Sequence, residues 1–372
     1  MVSLLRSFFY FMTSIFLKKK YDIIFYYPKH FNRGIKKENY YFSSLINSCK
    51  RHNITYLLFE EPDSYLIANR NKSTIPFDFI FYLILFLRKL FNTEVDVIFK
   101  DNKIGIFLSK TFFRGIKFNN VITISQSMVS IFRGIDNSCS IFDVQHGIIH
   151  PNKLNYLKHR MPSKNLINNH INILLTGLAY KELLVSHDYS SFFKNNSFVI
   201  GSHICSREIR HFSFNNKILV TLQFTHDHTY DENLLILTNL INMIKNSDEK
   251  NVFYLRNHPR YNNDINLDDL FDLTNVCVAP NDLNECFNIC SLHLTAYSTC
   301  VFEAALSGIP TILITPIDRF NYFHTYFKYP IQYEIKDFII DNYYVDQSKV
   351  VQNWAIDFYS RYDEDAFIQL LK

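Results

Sequence analysis

Leu292–Thr315 reads LHLTAYSTCVFEAALSGIPTILIT, and its alternation of apolar runs with polar turns sets the fold class of the whole chain. His293-Leu294-Thr295-Ala296 ends a run with the composition of a buried strand, and Thr311–Ile314 is a second such run. Between them Val301, Ala304 and Ala305 recur at helical spacing, with Ser298-Thr299 ahead of the helix and Gly308 and Pro310 behind it. The unit is strand, polar turn, helix, turn, strand. The start of such a helix has backbone N–H groups with no partner in the helix, at the positive end of its dipole. The Ser298 and Thr299 hydroxyls add donors, so the turn suits a phosphate. Glu303, one turn further in, suits the hydroxyls of a ribose. A capped βαβ helix with no ligand would carry the same Ser and Thr, so this stretch fixes the architecture and leaves the ligand open.

Composition bounds the rest. At 372 residues the chain exceeds one modest core and suits two domains. With 48% hydrophobic and 20% charged residues it is globular. The 36 Phe and 24 Tyr, beside abundant Asn, Lys and Ile, read as genome composition, so aromatic clusters carry no functional weight here. Eight glycines leave little room for a Gly-rich phosphate loop, and neither GxGxxG nor GxxxxGK[ST] occurs. The seven cysteines include no CxxC pair; Cys286 and Cys290 share a helical face without two further ligands, so the thiols read as buried and free, in a reducing cytoplasm. A net charge of +4 is too weak for a nucleic-acid binder, yet suits phosphate-bearing substrates or an anionic lipid surface.

The first residues, MVSLLRSFFYFMTSIFL, precede Lys18-Lys19-Lys20, the reverse of a secretory signal, and Arg6 interrupts a span already short for a membrane crossing. The expectation is an amphipathic helix, either on a membrane face or packed on the protein. Asp22–Tyr27 and Thr55–Glu60 read as buried parallel strands, with a helix within Tyr40–His52 between them. Phe77–Phe91 is the most apolar window and reads as a buried or membrane-dipping helix. Asp96–Phe99, Gly105–Leu108 and Val121–Ile124 read as further apolar runs of an open α/β sheet.

Two more turns are chemically loaded. The strand Ile141–Val144 ends in Gln145-His146-Gly147. Ligands of open α/β sheets bind beyond the carboxyl ends of strands, so His146 is a candidate acid or base, Asp143 a candidate to hold its ring, and Gly147 a point of close approach. A second α/β pattern follows Asn195-Asn196. Its strand Lys217–Leu222 leads to Gln223, Thr225, His226 and His228, and Val252–Leu255 leads to Arg256-Asn257-His258-Pro259-Arg260. Guanidinium and imidazole groups at a strand end make an anion trap, with Pro259 fixing the turn.

Three anion-suited turns in this order, each where a strand gives way to a helix, resemble the two-domain GT-B glycosyltransferases of bacterial capsule and lipopolysaccharide assembly. The likeness is to polysialyltransferases and Kdo transferases, and more loosely to CDP-glycerol glycerophosphotransferases. It covers roughly residues 142 to 315. The resemblance implies two Rossmann-like α/β domains facing across a cleft: an acceptor-binding domain over 1–195, a nucleotide-sugar domain over 196–345, and closing helices over 346–372 that cross back to the first. It also implies that His258 touches a donor phosphate with Pro259 shaping its turn, that Ser298 and Thr299 bind the same phosphates, and that Glu303 holds the ribose. Gln223, Thr225, Arg256 and Gly147 complete the donor set. The sialyltransferase-like members carry an acidic pair before the glycine; Gln145 and His146 stand there instead, which moves the base to His146 with Asp143 as orienter or rival.

The implied reaction is transfer of a sugar, a CMP-linked acidic sugar by analogy, from its nucleotide to a lipid-linked or polysaccharide acceptor such as capsule or O-antigen. The implied location is the cytoplasm or the inner face of its membrane. No metal or other cofactor is expected: Glu94-Val95-Asp96 precedes its strand, Asp363-Glu364-Asp365 reads as a helix cap, and His226-Asp227-His228 lacks a third ligand. An NDP-sugar 2-epimerase or a glycerophosphotransferase-like polymer synthase is the alternative. The epimerase would call for several carboxylates at the site, where the sequence offers mainly histidines.

Overall fold

The computed structural model describes residues 2–32, 39–63, 70–91, 96–204, 208–225, 228–258, 261, 264–314, 317, 321–332, 334–339 and 341–372. The chain divides into two compact units, Met1–His203 with Tyr362–Lys372, and Ile204–Arg361.

In the first unit the elements run α1 (Val2–Ser14), β1 (Lys19–Pro28), α2 (Ser43–Arg51), β2 (Tyr56–Glu61), β3 (Ile75–Pro76), α3 (Asp78–Leu90), α4 (Val97–Lys110), β4 (Ile116–Ile124), α5 (Val129–Ile135) and β5 (Ser140–Val144). A short antiparallel pair follows, β6 (Leu157–Lys158) and β7 (Met161–Pro162), and then α6 (Lys164–Asn168), β8 (Ile171–Leu175), α7 (Leu178–Ser186), α8 (Phe192–Asn196) and β9 (Ser197–Val199). The main sheet has the order β3-β2-β1-β4-β5-β8-β9 and is parallel throughout. Parallel strands are covered on both faces, which is why Ile23, Ile24, Phe25, Tyr26 and Tyr27 of β1 are all buried in one continuous run.

The second unit runs β10 (Lys217–Thr221), α9 (Tyr230–Lys245), β11 (Val252–Arg256), α10 (Asp268–Phe271), β12 (Val276–Val278), α11 (Leu283–Ile289), β13 (Leu292–Thr295), α12 (Cys300–Leu306), β14 (Thr311–Leu313), α13 (Tyr322–Thr325) and α14 (Asp341–Phe358). Its parallel sheet has the order β12-β11-β10-β13-β14. Both sheets therefore step outward from their first strand and then reverse, the doubly wound plan of Rossmann-like domains. A capping box starts α9, where Thr229 accepts from the Glu232 N–H while the Glu232 carboxylate accepts from the Thr229 N–H. On α12, Phe302 stacks on Trp354 of α14 with ring centroids 4.9 Å apart. The last helix, α15 (Glu364–Leu370), belongs to the first unit, and Asp363 caps it by accepting from the Ala366 N–H.

Three expectations need correction. The boundary lies at 203/204 rather than 195/196, because the strand after Asn195-Asn196 pairs with β8 and completes the first sheet. Of the closing residues only 362–372 return to the first unit; α14 stays with the second. The runs 96–99 and 105–108 are not strands but parts of α4. Asp96 caps that helix through the Ile98 N–H, and Asp101, Ile104, Gly105 and Leu108 form its buried stripe, so the first apolar run is the helix's exposed opening turn and the second supplies Gly105 and Leu108 to its packed face.

Candidate functional site

In the first unit the candidate base sits just past β5. The His146 Nε2 lies 3.0 Å from the Ser125 Oγ, its backbone carbonyl accepts from the Tyr41 hydroxyl at 3.1 Å, and its ring packs edge-on against Phe31. Ser125 is the first residue beyond β4, the strand next to the sheet's switch point between β1 and β4. It and its neighbours Gln126 and Met128 adopt left-handed backbone conformations, φ 62°, 53° and 54°. A side chain makes that region costly, about 1 kcal/mol or more per residue, so surrounding bonds must hold the turn. Asp143 supplies them: its Oδ1 accepts from the Gln126 N–H at 2.7 Å and from the Thr123 hydroxyl at 3.0 Å. The expectation that Asp143 holds the imidazole directly is thus corrected. Fully buried, Asp143 fixes the turn that carries Ser125, and Ser125 meets the ring.

Burial pushes the Asp143 carboxyl well above the usual range, opposed by the Gln126 and Thr123 bonds and by Lys153. Lys153, itself pushed down by burial, donates to the Ile148 carbonyl at 2.7 Å. His150 is pushed down to about 4 by burial, and so is neutral at physiological pH. Gln145 is a brace: it accepts from the Thr176 N–H and hydroxyl and donates to the Gly147 carbonyl, which fixes the turn. At Gly147 a Cβ would meet open space, so the backbone there is open to approach.

Two carboxylates absent from the sequence-derived site stand at the end of β2. Glu61 accepts from the Tyr26 and Ser127 hydroxyls at 2.7 and 2.8 Å; Glu60 accepts from Asn32 at 2.7 Å and from the Asn71 N–H at 3.1 Å, with Arg70 3.4 Å away. Burial raises both. As part of an apolar strand end, the pair gave no signal beyond composition.

In the second unit Arg256, Thr221 and Thr295 lie side by side across β11, β10 and β13. The turns that leave these strands hold Asn257-His258, Gln223 to Thr225, and Ser298-Thr299, so three of the loaded turns leave the same edge of one sheet. The last two flank its switch point between β10 and β13. The Ser298 Oγ accepts from the Cys300 N–H, the first of α12, at 3.2 Å; Thr299, the residue before the helix, is exposed and makes no side-chain cap. Arg256 donates to the Asn281 carbonyl at 2.8 Å, and its charge is felt at Cys300, the first residue of α12. Gln223 and Thr225 are buried; Gln223 donates to the Leu222 carbonyl and the Thr225 carbonyl accepts from Asn233, so both shape the turn. His228, bonded to Asn233 at 2.9 Å and edge-on to Tyr297, ties that turn to the Ser298 turn. Glu303 is half-buried one turn into α12, and His258 is half-buried beyond β11. Pro259, Arg260, His226, Asp227, Glu94 and Val95 lie outside the described residues. Among the described residues no three His, Cys, Asp or Glu side chains gather as a metal site.

No family model matches the sequence, and no curated protein matches it. Solved structures do. The UDP-GlcNAc 2-epimerase of Methanocaldococcus jannaschii matches with a TM-score of 0.56 at 13% identity, over 95% of this chain and 99% of that one. The epimerase of Neisseria meningitidis bound to UDP-GlcNAc gives 0.53 at 12% identity, over 90% of this chain and 99% of that one. The wall teichoic acid polymerase TagF gives 0.51 at 12% identity, over 99% of this chain and 92% of that one. At such identities the likeness is one of fold: an α/β chain of two Rossmann-like domains, as in those proteins.

Proposed function

We propose that the protein is a glycosyltransferase that moves a sugar from a nucleotide donor to a hydroxyl acceptor, working without a metal. The observation that carries this reading is the alignment of Arg256, Thr221 and Thr295, from which the His258, Gln223 and Ser298 turns leave one sheet edge together. A guanidinium, an imidazole, a hydroxyl and the start of α12 there form a set of donors for the phosphate of a leaving nucleotide. Glu303 takes the ribose. In the first unit His146 acts as general base: the acceptor oxygen attacks the anomeric carbon, its proton passes to the imidazole, and the bond from that carbon to the phosphate oxygen breaks, leaving the charge on the nucleotide. Asp143 and Ser125 set the orientation of that ring. The likeness to polysialyltransferases and Kdo transferases supports a CMP-linked acidic sugar as donor, and a lipid-linked or polysaccharide acceptor at the inner face of the cytoplasmic membrane.

A second reading has one observation in its favour. Glu60, buried, and Glu61, half-buried, both with raised proton affinity, provide the carboxylates that an NDP-sugar 2-epimerase would use for proton abstraction. Their bonds to Tyr26, Ser127, Asn32 and Arg70 commit them to the packing of β2, which favours the transferase. Incubation with CMP-, CDP-, UDP-, GDP- and dTDP-sugars decides between them. Release of free nucleotide supports transfer, a change of sugar configuration without acceptor supports epimerisation, and neither binding nor turnover of any donor overturns both.

A further inference from the structure

We propose that the outer face of α1, α3 and α4 is a docking surface for an anionic lipid bilayer. Among the described residues, 16 of the 30 large apolar side chains left exposed fall on these helices and the residues just after them, including Phe9 at 61%, Phe16 at 82%, Phe86 at 57% and Phe99 at 51%. Each helix buries one stripe, Ser7, Phe11 and Ser14 on α1, Ile80 and Ile84 on α3, Ile104 and Leu108 on α4, and carries apolar side chains on its outer side as well. The three are joined side to side: the Ser7 Oγ accepts from the Phe79 N–H at 3.0 Å, and Arg88 grips Asp101 at 2.7 and 2.6 Å. The exposed rings thus belong to one continuous layer. No helix among the described residues is long and apolar enough to cross a membrane, so the layer can lie on a bilayer but not span it.

Charge selects the occupant. Residues 2–20, 78–91 and 96–117 carry eleven Lys or Arg against three Asp, a net +8 in a chain whose total is +4. Two of those aspartates, Asp78 and Asp101, are buried and paired with Arg70 and Arg88. Lys18, Lys19, Lys20, Lys89, Lys103 and Lys110 are exposed, and Lys103 lies 4.4 Å from the Phe99 ring centre. A second copy of the same face would set +8 against +8. Anionic headgroups with acyl chains beneath them complement both the lysines and the rings.

The full chain, with no donor present, is mixed with vesicles of phosphatidylcholine alone or with added phosphatidylglycerol and sedimented. The absence of donor keeps this result separate from the transferase reading. The expected result is binding to the anionic vesicles, weakened about tenfold or more by reversing Lys18, Lys19 and Lys20 to Glu, and weakened again by Phe9→Ser with Phe86→Ser. All five positions are exposed, and an unchanged far-ultraviolet circular dichroism spectrum checks the fold. In a Phe86→Trp variant the added emission shifts to the blue on anionic vesicles. The proposal is overturned if the protein stays in solution with anionic vesicles at low salt. It is also overturned if binding is unaffected by all five changes, or if the chain is a stable dimer that Phe9→Glu splits.

Discussion

The Oγ of Ser125 stands 3.0 Å from Nε2 of His146, and Ser125 reaches that position from a left-handed turn whose next N–H is held by Asp143. Ser125 and the nearby pair Asp143 and His146, separated in the chain by α5, therefore form a sequence of contacts in which a buried carboxylate fixes a turn and the turn fixes a ring. The proposed role of His146 as a base rests on this order. His146→Ala should lower turnover about 100-fold or more while donor affinity, read by calorimetry, stays within a factor of a few. Ser125→Ala removes one contact of the imidazole and should shift the pH dependence of turnover rather than abolish it. Full activity of His146→Ala would remove its role.

In the proposed donor site Arg256 meets the phosphate through its charge. Losing a charged hydrogen-bond donor from a phosphate site costs about 1.5–3 kcal/mol, so Arg256→Ala should weaken nucleotide binding by roughly 10- to 100-fold. Ser298→Ala should weaken it less and also cost about 1 kcal/mol of stability, since its oxygen accepts from the first N–H of α12. Calorimetric titration with the nucleotide and thermal melting separate the two effects.

His293 sits in the core of the second sheet, fully buried between the hydroxyls of Thr221 and Thr311 at 2.9 Å each, and burial pushes it down to about 3. Its unfolded value is about 6.5, so below that pH the unfolded chain takes up a proton that the folded one does not. The stability it contributes is complete above about pH 6.5 and is lost as the pH falls, at about 1.4 kcal/mol per unit. Between pH 7 and 5, His293→Gln should lose roughly 2 kcal/mol less than the parent protein. Trp354 is the chain's one tryptophan and lies in the second unit, so denaturation followed by its fluorescence reads the unit that holds His293.

Gly105 and Gly134 bring α4 and α5 together with no room for a side chain: a Cβ on Gly105 would run into the Ile131 carbonyl, and one on Gly134 into that of Asn102. Alanine gains up to about 1 kcal/mol in helix propensity, yet a clash with backbone that cannot move costs about 1–3 kcal/mol. Gly105→Ala should therefore lower the melting temperature. Gly147→Ala, whose Cβ meets open space, should leave it unchanged and reduce turnover through the approach it obstructs.

Much of the architecture was legible in the chain. Buried parallel strands are apolar along their whole length, so Asp22–Tyr27 and Lys217–Leu222 announced themselves, and the Ser298-Thr299 turn with Gly308 behind it marked both ends of α12. Gly308 takes φ 71°, a conformation that favours glycine, which is why it stops that helix. The split of α4 into two supposed strands shows the limit: short apolar runs have no period of their own, and only packing on α5 decided which one they adopt.

The sequence by itself determined the α/β alternation and the three turns at strand ends, because burial and turn chemistry are local properties of residue type and order. Only the tertiary structure decided that Ser125 would meet His146, that Asp143 would hold the turn rather than the ring, and that Glu60 would be drawn into the interior. Those pairings depend on strand order and register. Hydrogen bonding across neighbouring parallel strands sets them, and it joins residues separated by whole helices.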